Sequence, residues 1–121
     1  IKNSNIKSVE TLSIDDYVNL LRHSSGLIGN SSSGIHEAAS FNIPVINIGT
    51  RQQGRLRPKN VIDTGHNVAE IVKAINQCKE IKNEQIIFEN PYGDGRSSAR
   101  IVDLLKSLDI GNEIIQKRIT Y

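Results

Sequence analysis

Leu27-Ile28-Gly29-Asn30-Ser31-Ser32-Ser33-Gly34-Ile35-His36-Glu37 is the stretch that decides the fold. A short apolar run, Leu27-Ile28, leads into a loop of small residues. The loop opens onto a segment that reads as a helix, Ile35 to Ser40, and a second apolar run follows, Pro44-Val45-Ile46-Asn47-Ile48. Strand, small-residue loop, helix and strand in that order form the layout of an anion site in an α/β sheet. The first N–H groups of a helix lack partners within it, and the helix dipole is positive at that end. The serines and glycines of the loop let a phosphate approach those N–H groups and add hydroxyl donors. Glu37, one turn in, suits a diol such as ribose better than a phosphate. The loop is neither a Walker loop, since no Gly-Lys-Ser/Thr follows, nor the dinucleotide pattern Gly-x-Gly-x-x-Gly. A Gly-x-Ser-x-Gly nucleophile elbow is absent too.

The elements on either side fit the same plan. Ser13 caps a helix in which Ile14, Tyr17, Val18 and Leu21 share a face, with Asp15 and Asp16 in its first turn. Gly26 to Ile28 reads as a buried strand. Asn42 suits a left-handed helix stop. Val45 to Ile48 is apolar enough for a parallel strand covered on both faces. Val61-Ile62 is a minimal strand. Asn67 caps a helix whose face is Val68, Ile71, Val72 and Ile75, ending near Cys78. Ile86-Ile87-Phe88 has extended character, and Asn90-Pro91-Tyr92-Gly93-Asp94-Gly95 has strong turn chemistry. Ser97 or Ser98 starts a last helix with Ile101, Val102, Leu104, Leu105 and Leu108 on its buried side. Gly111 ends it, and a basic tail follows. Alternating helices and short strands predict a doubly wound α/β sheet, with ligands beyond the carboxyl ends of the strands.

Composition narrows the function. The chain has 121 residues, 37% hydrophobic, with two Phe, three Tyr and no Trp, so its core rests on Ile, Val and Leu. A net charge of +2 calls for neither a nucleic-acid nor a membrane partner. No apolar run approaches the roughly 20 residues of a membrane span, and no signal-peptide pattern opens the sequence. The single cysteine, Cys78, has no internal disulfide partner, which fits a reducing, cytoplasmic setting. With no Met and an opening Ile1-Lys2-Asn3, the chain is expected to be part of a longer protein.

Arg51, Arg55 and Arg57 crowd the loop that follows Ile48, and arginine forks suit phosphate oxygens. The plainer alternative is ion pairing with Asp63, Glu37 or Asp94. His23 reads as a cation at a helix end, His66 as a turn residue, and His36 as facing away from Glu37. No histidine has metal-ligand spacing with another, so no metal site is expected. Cys78 reads as a small packing residue.

Taken together, Gly29-Asn30-Ser31-Ser32-Ser33-Gly34 with Glu37, the run Pro44 to Arg55, Asn60-Val61-Ile62 and Asn90 to Gly95 resemble the C-terminal domain of UDP-N-acetylglucosamine 2-epimerases. The similarity spans roughly Ile14 to Leu108, and the Thr-Arg-Gln-x-Gly-Arg loop is closer to the hydrolysing branch. It implies a Rossmann-like parallel sheet with flanking helices, part of the C-terminal half of a GT-B-type two-domain fold. Residues 1–121 would then be a partial UDP-binding domain without its N-terminal partner domain. By the same resemblance, Ser31 and Ser32 bind the UDP diphosphate and Glu37 the ribose. Arg51 reaches the diphosphate or the leaving-group side of the sugar and is the one catalytic candidate. The implied activity converts UDP-N-acetylglucosamine to N-acetylmannosamine and UDP without a cofactor, in a homo-oligomeric whole protein serving sialic-acid-type precursor synthesis. The acid/base residues would lie outside this chain.

Other readings stand beside it. One is the nucleotide-sugar-binding domain of a GT-B glycosyltransferase. Others are a non-hydrolysing epimerase, an epimerase for a UDP-diacetamido-trideoxyhexose, or a Rossmann-like module serving only assembly.

Overall fold

A computed structural model of the chain describes residues 5–84, 86–109 and 111. Its centre is a parallel three-stranded sheet in the order β1-β2-β3, formed by β1 (Leu27–Gly29), β2 (Val45–Ile48) and β3 (Val61–Thr64). Helices α1 (Ile14–His23), α2 (Ser33–His36), α3 (Val68–Asn83) and α4 (Ser97–Ser107) flank or follow it, with a 3₁₀ turn over Ala38–Phe41. This is the Rossmann-like α/β arrangement expected from the sequence.

Strand β2 explains why helices lie on both sides. Successive side chains of a strand point to opposite faces. Val45 packs with Leu21, Ala38 and Ile43, against Tyr17, Leu27, Phe41 and Val61. Ile46 packs with Ala74 and Cys78, against Ile48, Ile62 and Ile75. The sheet is thus a divider between two small cores, one under α1 and the 3₁₀ turn, the other under α3. In register, Gly29, Asn47 and Asp63 form one row across the sheet near its carboxyl edge.

The capping chemistry is local and legible. The Ser13 hydroxyl accepts from the Asp16 amide at 3.1 Å, and the Asn67 side chain accepts from the Ala69 amide at 2.8 Å. Asn42 takes φ 55°, and its amide N–H donates to the Ala38 and Ala39 carbonyls, which ends the 3₁₀ turn.

Several expectations are corrected. Strand β1 runs one residue later, and Ile28 is exposed on the sheet's edge strand. The helix after the serine loop starts earlier, at Ser33, and is one turn long before it tightens into the 3₁₀ turn. Strand β3 continues to Thr64. Ile14 is exposed at the start of α1, leaving Tyr17, Val18 and Leu21 to face inward. Helix α3 continues past Cys78 to Asn83, and its inner stripe is Ile71, Ala74, Ile75 and Cys78, while Val68 and Val72 face solvent. Residues 86–88 form no strand; the Phe88 amide donates instead to the Asn42 side chain at 3.0 Å. Helix α4 ends at Ser107, before Gly111, and Ile101, Val102, Leu104, Leu105 and Leu108 are all exposed. A helical period marks a face, but among the described residues no element lies over that face. The basic tail lies outside the described residues.

Candidate functional site

The serine loop turns the chain from β1 into α2, and two glycines make that turn possible for different reasons. Gly29 takes φ 148°, a backbone region open chiefly to glycine. Gly34 has an ordinary backbone but no space: a Cβ there would stand 2.7 Å from Val45 Cγ1 and 3.4 Å from Leu27 Cδ2. Its role is the close seating of α2 on the sheet rather than the approach of a ligand.

The three serines divide the loop between structure and surface. Ser33 is buried, and its hydroxyl accepts from the Tyr17 hydroxyl at 2.6 Å, which ties α2 to α1. Ser31 and Ser32 are exposed. The Ser31 hydroxyl receives the Ser33 amide at 3.3 Å. Among the described residues, the Ser31 and Ser32 amides and the Ser32 hydroxyl have no hydrogen-bond partner. With α2 only one turn long, those unpaired N–H groups, more than a summed helix dipole, make the loop a donor surface.

The crossover from β2 to β3 places arginines beside it. Arg51 Nη1 lies 3.5 Å from Asn30 Oδ1. Gln52, a buried side chain, donates from Nε2 to the Asn30 carbonyl at 2.7 Å. Arg57 Nε pairs with Asp63 Oδ2 at 3.0 Å, and Arg57 Nη1 donates to the Gln52 carbonyl at 2.7 Å. Asp63 Oδ1 also accepts from Asn47 Nδ2 at 2.6 Å. The ion-pairing alternative therefore holds for Arg57. Among the described residues neither Arg51 nor Arg55 has a carboxylate partner, and Asp94 is taken by Arg100.

Glu37 sits at the joint between α2 and the 3₁₀ turn, exposed, with no side-chain partner among the described residues. The fold brings Ser31, Ser32 and Arg51 around Asn30. Glu37 belongs to the next turn of the same segment, and no side-chain contact links it to them.

His36 is more engaged than its sequence position suggests. Its ring stacks on Tyr92 with centroids 4.3 Å apart and planes 16° from parallel. Arg55 Nη1 lies 2.6 Å from His36 Nε2, and since a guanidinium only donates, Nε2 is the acceptor. Tyr92 donates to the Leu56 carbonyl at 3.0 Å. Asn90 Nδ2 donates to the His36 carbonyl at 2.8 Å and to the Ser40 hydroxyl at 2.7 Å. The Asn90–Gly95 turn is thus clasped to α2 and to the arginine crossover. The Thr-Arg-Gln-x-Gly-Arg loop and the Asn90–Gly95 turn mark the segments that hold Gln52 and Asn90, but sequence does not show that Gln52 is buried or that His36 and Asn90 clasp these segments together.

Among the described residues no group of three or more His, Cys, Asp or Glu side chains could hold a metal ion. No helix among them is long and apolar enough to cross a membrane. Burial pushes the Cys78 thiol above its ordinary value, in keeping with a packing role.

Known proteins resemble this chain in sequence. The family described as UDP-N-acetylglucosamine 2-epimerase matches residues 1–106. A UDP-N,N'-diacetylbacillosamine 2-epimerase (hydrolyzing) from Legionella pneumophila is 36% identical over 97% of this chain and 30% of its own length. A GDP/UDP-N,N'-diacetylbacillosamine 2-epimerase (hydrolyzing) from Campylobacter jejuni is 43% identical over 67% of this chain and 21% of its own length. A UDP-N-acetylglucosamine 2-epimerase from Neisseria meningitidis is 34% identical over 82% of this chain and 26% of its own length. The chain spans less than a third of each of these relatives. An unpaired donor loop, an arginine crossover beside it and a match over residues 1–106 agree, and the chain belongs to the UDP-N-acetylglucosamine 2-epimerase family.

Proposed function

We propose that this chain is the diphosphate- and ribose-binding part of a hydrolysing UDP-sugar 2-epimerase, lying in the C-terminal half of a GT-B-type whole protein. The observation that carries the reading is Arg51, a guanidinium without a carboxylate partner among the described residues, set against the loop that offers the Ser31 and Ser32 donors. Ser31, Ser32 and Arg51 bind the diphosphate, and Glu37 accepts from the ribose hydroxyls. The hydrolysing branch is supported by two relatives that carry "hydrolyzing" in their names.

The reaction follows from what such a site favours. A base outside this chain takes the C2 proton. The C1–O bond to UDP breaks, its electron pair leaves on the diphosphate, and C1=C2 forms. Water then adds a proton to C2 and hydroxyl to C1, releasing the 2-epimeric free sugar. Negative charge grows on the departing diphosphate, and donors already in place lower the barrier without reorganising. Arg51 and the serine loop act on that charge, and general acid/base work falls to other residues.

UDP-N-acetylglucosamine, giving N-acetylmannosamine and UDP, is the substrate proposed first, as in the name of the Neisseria relative. A UDP-diacetamido sugar is the second reading, favoured by the names of the Legionella and Campylobacter relatives. The test supplies the full-length protein with each UDP-sugar separately and separates the products. UDP released together with a free 2-epimeric sugar supports hydrolysis, and the faster substrate identifies the sugar. A UDP-linked epimer as the only product contradicts the hydrolysing reading.

A further inference from the structure

Gln52 and Gln53 stand side by side in the crossover, yet Gln53 is exposed and Gln52 is 2% exposed. The Gln52 side chain donates to the Asn30 carbonyl at 2.7 Å. Its own carbonyl accepts from Arg57 Nη1 at 2.7 Å. Arg57 is held by Asp63, and Asp63 by Asn47, the two neighbours in the row at the carboxyl edge of the sheet. Gln52 therefore links the serine loop to Arg57 and, through Asp63, to the sheet edge. Asn30 directly precedes Ser31 and Ser32, and Arg51 directly precedes Gln52. Gln52 thus bridges the two groups assigned to the diphosphate and sets the distance between them.

Packing alone does not account for an amide here. Gln52 Oε1 is buried with no partner among the described residues. A methionine would fill similar space without an unpaired buried acceptor. What the amide adds is one directional bond onto Asn30. We infer that Gln52 is a positioning residue for the diphosphate site, holding the Ser31 and Ser32 donors in register with Arg51 without touching the nucleotide. The inference rests on the UDP reading above and deepens it.

The test measures UDP and uridine affinity of the full-length protein carrying Gln52→Met, Ser32→Ala, Arg51→Ala and the Gln52→Met/Ser32→Ala pair, with thermal unfolding of each. Gln52→Met is expected to weaken UDP on the order of 10-fold, because misplaced donors lose most of a charge-assisted hydrogen bond. Uridine affinity changes less than about 2-fold, since the contacts to uridine do not pass through the bridge. Added to Ser32→Ala, Gln52→Met costs clearly less than it does alone, because both act on the same donors. If Gln52→Met does not fold, Gln52→Leu removes the same donor without adding a charge and carries the same expectation. Unchanged UDP affinity in the Gln52 variant, or losses that simply multiply in the pair, overturns the role of Gln52 while Arg51→Ala still supports the UDP site. Unchanged UDP affinity in Arg51→Ala and Ser32→Ala overturns the UDP site itself, and the inference with it.

Discussion

Arg51 and Arg57 share one loop and differ in what surrounds their charge. Arg57 is neutralised by Asp63 and anchored to the Gln52 carbonyl, so it braces the crossover. Among the described residues, the hydrogen-bond partner of the Arg51 guanidinium is the side-chain oxygen of Asn30, at 3.5 Å. In the full-length protein, Arg51→Ala is expected to weaken UDP about 10- to 100-fold, the range for hydrogen bonds to a charged group. Ser32→Ala is expected to cost about 3- to 10-fold, as a neutral hydroxyl does. Titration calorimetry checks both, and equal affinity for wild type and variants contradicts the assignment. Cys78 offers a separate check: its buried thiol, raised above its ordinary value, stays unalkylated in the folded protein and reacts once the protein is unfolded. At this scale the sequence speaks through residue types. Serines, arginines and a carboxylate announce an anion and a diol. Whether a given arginine is already neutralised, or a given glutamine buried, depends on residues distant in sequence, and these become neighbours only on folding.

Elements tell a similar story through their contacts. Helix α2 can lie on β1 and β2 only because Gly34 has no side chain, so Gly34→Ala is expected to destabilise the protein by about 1–3 kcal/mol. Urea denaturation measures that loss, and a variant as stable as wild type contradicts the close seating. The turn before α4 is held by Asp94, which accepts from Arg100 Nη1 and Nη2 at 2.8 Å each and from the Arg96 amide at 3.1 Å. The hydrogen bonds from Arg100, then that from the Arg96 amide, hold the Asp94 carboxyl below its ordinary value. A depressed folded value means the contribution is present above the unfolded value and lost as pH falls through the folded one. The Asp94 carboxyl resonance is therefore expected to titrate at a lower pH than in an Arg100→Ala variant, and identical midpoints contradict the pairing. The Ser13 and Asn67 caps and the Asn42 stop are readable because each depends on residues within one turn, and strands β1 to β3 are readable as local apolar runs, with the bounds of β1 and β3 off by one or two residues. The exposure of the apolar face of α4 is not, because periodicity marks an apolar face without saying what lies over it.

At the scale of the whole molecule, a three-stranded parallel sheet carries two loops at its carboxyl edge, which meet at Asn30. The two loops of the candidate site are legible in the sequence as loops. Their joint at Asn30 and the clasp of His36, Arg55 and Tyr92 emerged from the fold. A chain that covers less than a third of its relatives, and whose proposed role is to hold the leaving group, is expected to release no UDP from a UDP-sugar when produced alone. The most direct test of the site compares UDP with uridine by titration calorimetry on the full-length protein, with and without Arg51→Ala. The account predicts that UDP binds far more tightly than uridine and that Arg51→Ala removes most of that difference. Equal binding of UDP and uridine, or a difference untouched by Arg51→Ala, would contradict it.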